Sequence, residues 1–350
     1  AISSRNKEII GMPNKEPISS SGTILSGMRP TGQLHLGNYF GALQNWVDLQ
    51  DTYKCIYTIV DIHALTTIET PEDIANIRPN IYEMALDWLA AGIDPNLSTI
   101  FIQSHIPEVM TLNTLLSMVT PLGWLMRVPT FKEKVRQMEH TEESVNYGLV
   151  GYPILQTADI ILYKADTVPV GQDQLPHLEL AREIVRRFNS RFGETFPEPQ
   201  AKLTKVPLIV GLDGQQKMSK SLDNHIDLSS TEEVTTKRIL TAFTDPQRTT
   251  RDTPRRPNVC NVYSLHNIFT NESDLTTINQ ECTSASRGCV DCKRQLAQNL
   301  NSYLGPMRER RNDLSKRPDD IKDILSEGAK TARQLAQATI EEVYDKMGLS

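Results

Sequence analysis

Four short apolar runs rich in branched residues, Thr23–Ser26, Lys54–Val60, Ser98–Ile102 and Thr167–Val170, are separated by segments with helical spacing. Their hydrophobicity is continuous rather than alternating, which predicts strands covered on both faces, as in a parallel sheet. Between the first two runs, Phe40, Leu43, Trp46 and Val47 share one face of a helix over 38–49, and 73–91 repeats the pattern before the third. The fold class is therefore α/β, a doubly wound, Rossmann-like parallel sheet. Gly27 follows the first run, Asp61 and His63 the second, Gln103 and Ser104 the third, and Gly171, Asp173 and Gln174 the fourth. All fall at carboxyl ends of strands, where open α/β sheets bind ligands.

Beyond about residue 225 the pattern turns helical, over 231–244, 291–304 and 329–347, with Pro and Asn in the connections. A chain of 350 residues accommodates this second, all-helical domain. The expected organisation is a mobile tail over 1–21, a catalytic domain over 22–210, a loop over 211–225 and the helical domain over 226–350, whose last helix is a candidate to pack back on the sheet. A net charge of -6 argues against binding polyanions over the whole surface and leaves room for a regional basic face. There is no apolar run of about 18 residues and no secretory leader at the start, so a soluble, cytoplasmic protein without membrane contact is expected. Five cysteines are too few and too clustered for a secreted disulfide scaffold.

A strand ending at Ser26-Gly27, a turn through Pro30-Thr31-Gly32 and a helix opening near Asn38 aim backbone N–H groups at an anion. His35 can donate to a phosphate oxygen, and Gly37 leaves space for a flat ring. Alone, this arrangement is common among purely structural turns. A second element sharpens it: Lys217-Met218-Ser219-Lys220-Ser221 follows the Gly-bearing turn Gly211-Leu212-Asp213-Gly214 and brings two ammonium groups to a loop able to close over a triphosphate. Such cations suit a transition state whose charge builds on phosphate oxygens.

In order and separation, His35-Leu36-Gly37-Asn38 and Lys217–Ser221 resemble the two signature sequences of class I aminoacyl-tRNA synthetases, and the resemblance covers nearly all of the chain after residue 21. It implies two steps, attack of an amino-acid carboxylate on the α-phosphorus of ATP and transfer of the aminoacyl group to the terminal ribose of a tRNA. ATP would carry Mg2+, no covalent enzyme intermediate would form, and the protein would be a homodimer. By the same resemblance His35, Asn38, Lys217, Lys220 and Ser221 are catalytic. Arg29, Gly37, Gly41 and Met218 would contact ATP, as would Gly171, Asp173 and Gln174. Lys132 is either a further phosphate contact or a surface lysine.

Tyr152, Gln156 and Asp159 are spaced four and three apart, so a helix aligns them. A buried Asp159 is either capped by backbone groups or part of a ligand pocket; position leaves both open. Indole offers one N–H donor and no acceptor, which a carboxylate at the base of an apolar pocket reads well. Asp159, the run Val168-Pro169-Val170-Gly171-Gln172-Asp173-Gln174 with His177, and Asp61-Ile62-His63-Ala64 look like the tryptophanyl family. That implies L-tryptophan and tRNA(Trp) as substrates, with Asp159 on the indole, Tyr152 and Gln174 on the ammonium, Gln156 near the amino-acid backbone, and Gly27, His63, Val168 and Val170 shaping the pocket. Arg29, Gln156 and Thr157 depart from the common family pattern, which has Gln, Met and Ala there. The alternatives are a tyrosyl enzyme, whose carboxylate can accept a phenol O–H, and a catalytically silent synthetase-like protein that binds RNA.

Cys260, Cys282, Cys289 and Cys292 follow the spacing C-x21-C-x6-C-x2-C, whereas Cys55 lies within an apolar strand. Four such thiolates satisfy tetrahedral zinc or a four-iron cluster, and spacing alone does not choose. A subset of bacterial tryptophanyl enzymes carries a similar pattern with a 4Fe–4S cluster, which the resemblance places ahead of Zn2+. Arg248, Arg251, Arg255, Arg256, Lys293 and Arg294 surround the cysteines and are expected to supply the basic face for tRNA.

Overall fold

The computed structural model describes residues 21–137, 145–203, 209–247, 250 and 253–349. The expected tail, apart from Ser21, lies outside the described residues, as do Arg248 and Arg251. The chain divides into two compact units, the first comprising 1–32, 46–205 and 317–350, the second 33–45 and 206–316.

The first unit is built on five parallel strands: β1 (Thr23–Met28), β2 (Lys54–Ile59), β3 (Ser98–Ile102), β4 (Thr167–Val170) and β5 (Gln200–Leu203), in the order β3-β2-β1-β4-β5. Strand order reverses at β1, which makes the carboxyl ends of β1 and β4 the crevice of a doubly wound sheet. Continuous apolar runs become buried strands as anticipated: Cys55 to Ile59 of β2 are all buried, Cys55 as plain core. β5 was not anticipated. Its Gln-Ala-Lys-Leu sequence is polar and mostly exposed at the sheet edge, so it carries no core signal.

The helix Pro71–Ala91 starts where Thr70 accepts the Asp73 N–H and Pro71 occupies the first turn, and it ends at Gly92, whose φ of 117° only glycine adopts easily. Its second half, Met84 to Ala91, is entirely buried; there Trp88 meets Trp46, which stacks on Tyr57 at 4.7 Å. The helix Tyr147–Leu162 is capped by Asn146 and almost wholly apolar, so its buried polar groups stand out. The last helix, Pro318–Met347, packs on β3 so closely that a Cβ on Gly328 would overlap the Ile100 carbonyl.

The second unit is helical, with Glu232–Leu240, Asn261–Phe269, Glu272–Thr283 and Cys289–Ser315 as its main elements. It includes the start of the first motif helix, which runs as α-helix over Leu36–Asn38, widens to a π turn at Tyr39–Leu43 and resumes over Gln44–Leu49. Phe40 there packs edge-on to Phe269 and stacks with Tyr303. No described helix is long and apolar enough to cross a membrane.

Candidate functional site

In the first unit, the polar residues expected at the sheet edge occupy short turns following the strands: Asp61 and His63 in Asp61–Ala64 after β2, Gln103 in Gln103–His105 after β3, and Asp173 and Gln174 in Gln172–Gln174 after β4. Gly27 is in register with Thr58, and a Cβ on it would meet Thr58 and Val60 at 3.0 Å, so a side chain there would have to push these neighbours aside.

Asp159 is buried on the Tyr147–Leu162 helix, and its partner is a side chain rather than the backbone. Gln103, itself fully buried, donates from Nε2 to Asp159 Oδ1 at 2.9 Å and Oδ2 at 2.7 Å. Its Oε1 accepts the His63 backbone N–H at 3.0 Å. The amide orientation is therefore fixed, because a carboxylate only accepts and an N–H only donates. Burial pushes the Asp159 carboxyl up to about 7, against the pull of the Gln103 hydrogen bond, and the nearby Asp61 carboxylate adds to the rise. One donor leaves most lone pairs of this carboxylate unused, which suits a ligand N–H.

Tyr152, about two turns earlier, is buried beside His63 at 5.7 Å between ring centroids, and its hydroxyl is 2.6 Å from His177 Nε2. Val168 and Val170 are buried on β4, while Gln156 is half-buried and Thr157 donates to the Pro153 carbonyl. Arg29 donates to Thr67 at 2.9 Å; burial lowers its pKa, and Tyr152 acts in the opposite sense. Gln174 donates to Asp173 at 3.0 Å. Lys132 is exposed on the helix Pro129–Gln137. Gln103 and His177 were not assigned site roles from sequence, although both lay in the flagged strand-end segments.

The second unit holds both signature segments, and they are joined by backbone. Leu36 donates to the Ile226 carbonyl at 3.0 Å and Leu228 to the Leu34 carbonyl at 2.9 Å, which sets His35 opposite Asp227. Asn38 Oδ1 accepts the His35 N–H at 3.0 Å. A Cβ on Gly37 would meet the His35 ring at 2.9 Å and Met218 at 3.4 Å. Burial lowers the His35 pKa to about 4, with His225, Lys220 and Lys217 acting in the same sense, so its imidazole is neutral at pH 7. A neutral ring keeps one N–H to donate. Lys217 and Ser221 are exposed, Met218 is buried, and Gly41 faces open space.

The four clustered cysteines line one cavity together with Arg255 and Arg287. Cys260 caps the helix Asn261–Phe269, Cys282 lies in the last turn of Glu272–Thr283, and Cys289 and Cys292 open the helix Cys289–Ser315. Burial pushes the Cys292 thiol up to about 12, against the Arg287 guanidinium, and the other three cysteines add to the rise. His266 Nε2 is 3.4 Å from Cys292 Sγ. As placed, no group of three or more His, Cys, Asp or Glu among the described residues converges to hold a metal ion. The four thiols nonetheless share this cavity with Arg287, whose buried Nε has no hydrogen-bond partner among the described residues, and four thiols are the donor set that a four-iron cluster or tetrahedral zinc takes. The basic face differs from expectation. Arg255 is only 5% exposed and lines this cavity, and Arg256 is paired with the buried Asp245 at 2.8 Å. Lys293 donates to the Leu240 carbonyl, and Arg294 lies 3.7 Å from Asp291.

The profile of the family described as tRNA synthetases class I (W and Y) matches residues 19–305. A tryptophan–tRNA ligase of Thermotoga maritima is 44% identical, over 93% of this chain and 99% of the relative. One from Aquifex aeolicus is 40% identical over the same shares. The crystal structure of the tryptophanyl-tRNA synthetase from Campylobacter jejuni, complexed with ADP and tryptophan, superposes with a TM-score of 0.85 at 36% identity, covering 93% of this chain and all of the other. With both signature segments joined in one unit and a buried carboxylate clamped by Gln103 in the other, the chain belongs to the tryptophanyl members of the class I tRNA synthetases.

Proposed function

We propose that this chain activates L-tryptophan with ATP and transfers it to tRNA(Trp). The observation that carries the choice of amino acid is the buried Asp159 carboxylate, clamped by Gln103 yet short of donors, in a chain whose relatives are tryptophan–tRNA ligases. Phenylalanine would leave the remaining acceptor positions of that carboxylate unfilled, the kind of mismatch by which a site built to hydrogen-bond its substrate rejects an analogue lacking the donor. Tyr152 and Gln174 hold the ammonium, Gly27, His63, Val168 and Val170 bound the indole, and Gln156 borders the amino-acid backbone.

ATP, with Mg2+ on its phosphates, is bound by Arg29, Gly37, Gly41, Gly171, Asp173 and Gln174, with Met218 against it and Lys132 as a further phosphate contact. Neutral His35, held by Asn38, donates to a phosphate oxygen. Lys217 and Lys220 oppose the charge that develops as pyrophosphate departs, with Ser221 completing the loop. The helical part of the chain, from about 226, takes the tRNA anticodon region. Cys260, Cys282, Cys289 and Cys292 hold a 4Fe–4S cluster, ahead of Zn2+, that shapes this region structurally. The enzyme is a homodimer, as in the family it resembles, and acts in the cytoplasm.

Charging of total bacterial tRNA with radiolabelled tryptophan tests the whole proposal. Acid-precipitable label that requires both ATP and tRNA is expected; adenylate formation without charging would restrict the chain to the first step.

A further inference from the structure

The segment after the Lys217–Ser221 motif contains one buried side chain that reaches both arms of the loop. Asn224, 3% exposed, accepts the Ser219 N–H on Oδ1 at 2.7 Å. Its Nδ2 donates to Asp213 Oδ2 at 2.8 Å and to the Lys217 carbonyl at 3.4 Å, and its own carbonyl accepts the Leu212 N–H at 2.7 Å. Asp213 in turn accepts the N–H groups of Gln215 and Gln216 on Oδ1, at 3.0 and 3.2 Å, which folds the turn leading into the motif. Gly211 is part of the same arrangement, since a Cβ there would overlap the Asn224 amide. Gly214, with φ at 71°, lets the turn reverse.

Lys217 is exposed and Lys220 half-buried. The backbone that carries them is anchored. The Lys217 carbonyl and the Ser219 N–H, on either side of Met218, are both hydrogen-bonded to the Asn224 amide. We propose that Asn224 is a positioning residue for adenylate formation, pinning the backbone at Lys217 and Ser219 to Asp213 so that Lys217 and Lys220 are presented to the departing pyrophosphate in a fixed geometry. The inference rests on the reading of this loop as the one that acts on ATP phosphates.

The amide is needed for its two faces, an acceptor toward Ser219 and a donor toward Asp213. Asn224→Asp keeps the acceptor and sets two carboxylates against each other. Adding Asp213→Asn restores the bond with its direction reversed: the new amide donates to position 224 and still accepts from Gln215 and Gln216.

The test measures tryptophan-dependent ATP–pyrophosphate exchange on the full chain with N224A, N224D and the N224D/D213N pair, with tryptophan affinity by fluorescence and amide hydrogen exchange across 209–222. Expected are kcat values about 100-fold down in both single variants, the scale of an ångström-sized misplacement. KM for tryptophan should stay within about twofold, protection at Ser219 should be lost, and the pair should recover to within about fivefold of wild type. An N224A rate within about twofold of wild type overturns the proposal, as does a parallel loss of tryptophan affinity, or a pair no faster than its singles. The hydrogen-exchange result does not depend on activity. A wild-type chain without exchange activity, whose Ser219 protection still depends on Asn224, would sink the reading of the loop, and with it the role in adenylate formation, while leaving the backbone pin standing.

Discussion

Gln103 Nε2 forks across both oxygens of Asp159, at 2.9 and 2.7 Å, while Gln103 Oε1 is held by the His63 backbone. β3 ends immediately before Gln103, and Asp159 lies on a helix 56 positions away. Their union turns a costly buried carboxylate into an oriented acceptor. Gln103→Ala removes the only described donor to Asp159 and should weaken tryptophan binding by about one to two orders of magnitude, in line with about 1–3 kcal/mol for an unsatisfied buried group. Gln103→Glu should be worse, because it opposes like charges. Calorimetric titration with tryptophan checks both, and unchanged affinity in Gln103→Ala would remove the clamp from specificity.

The raised Asp159 pKa fixes the sign of two pH effects. The folded carboxyl titrates at about 7 against an ordinary 3.8, so between these values the folded chain keeps a proton that the unfolded chain has released. Its contribution to stability therefore falls as pH rises through that window, and Asp159→Asn should lack this slope in thermal unfolding. Tryptophan needs the carboxylate form, so its affinity should decline below about pH 7, approaching about tenfold per pH unit, with proton uptake on release. A dissociation constant flat from pH 5.5 to 8, which lies outside the account, would show that the indole does not read an ionised Asp159.

The cationic loop makes a separate demand. Lys217→Ala and Lys220→Ala should each lower exchange kcat by about 100- to 1000-fold, the usual cost of removing one preorganised charge-stabilising group. Tryptophan binding should survive both. A change in KM with kcat intact would assign the lysines to ground-state binding instead.

The cysteine cavity predicts a coloured protein. Anaerobic purification should give absorbance near about 400 nm and about four irons per chain. Cys289→Ser and Cys292→Ser should each lose the colour and lower the unfolding temperature. A colourless protein with stoichiometric zinc would replace the cluster by the tetrahedral alternative.

Gly328→Ala tests the packing of the last helix on the sheet. The added methyl meets the Ile100 carbonyl inside β3, where backbone rather than a flexible side chain must move. A loss of about 1–3 kcal/mol in denaturant unfolding is expected, and a neutral variant would contradict so close a contact.

What could be read from sequence followed the physics of each segment. β1 to β4 were legible because both faces are covered and the runs are continuously apolar; β5 was not, because an exposed edge strand needs no such run. The Tyr147–Leu162 helix and its polar stripe were legible from spacing, but the partner of Asp159 was not, since a contact across 56 positions leaves no local trace. Likewise the π turn at Tyr39–Leu43 and the burial of Arg255 arise from packing in three dimensions, so the basic face expected to meet tRNA loses Arg255 to the cysteine cavity.

ATP–pyrophosphate exchange with each of the twenty amino acids tests the central claim most directly. Stimulation by tryptophan alone is expected, and it should be abolished or stripped of its selectivity by Asp159→Ala. Stimulation by tyrosine, or by no amino acid, would contradict the account.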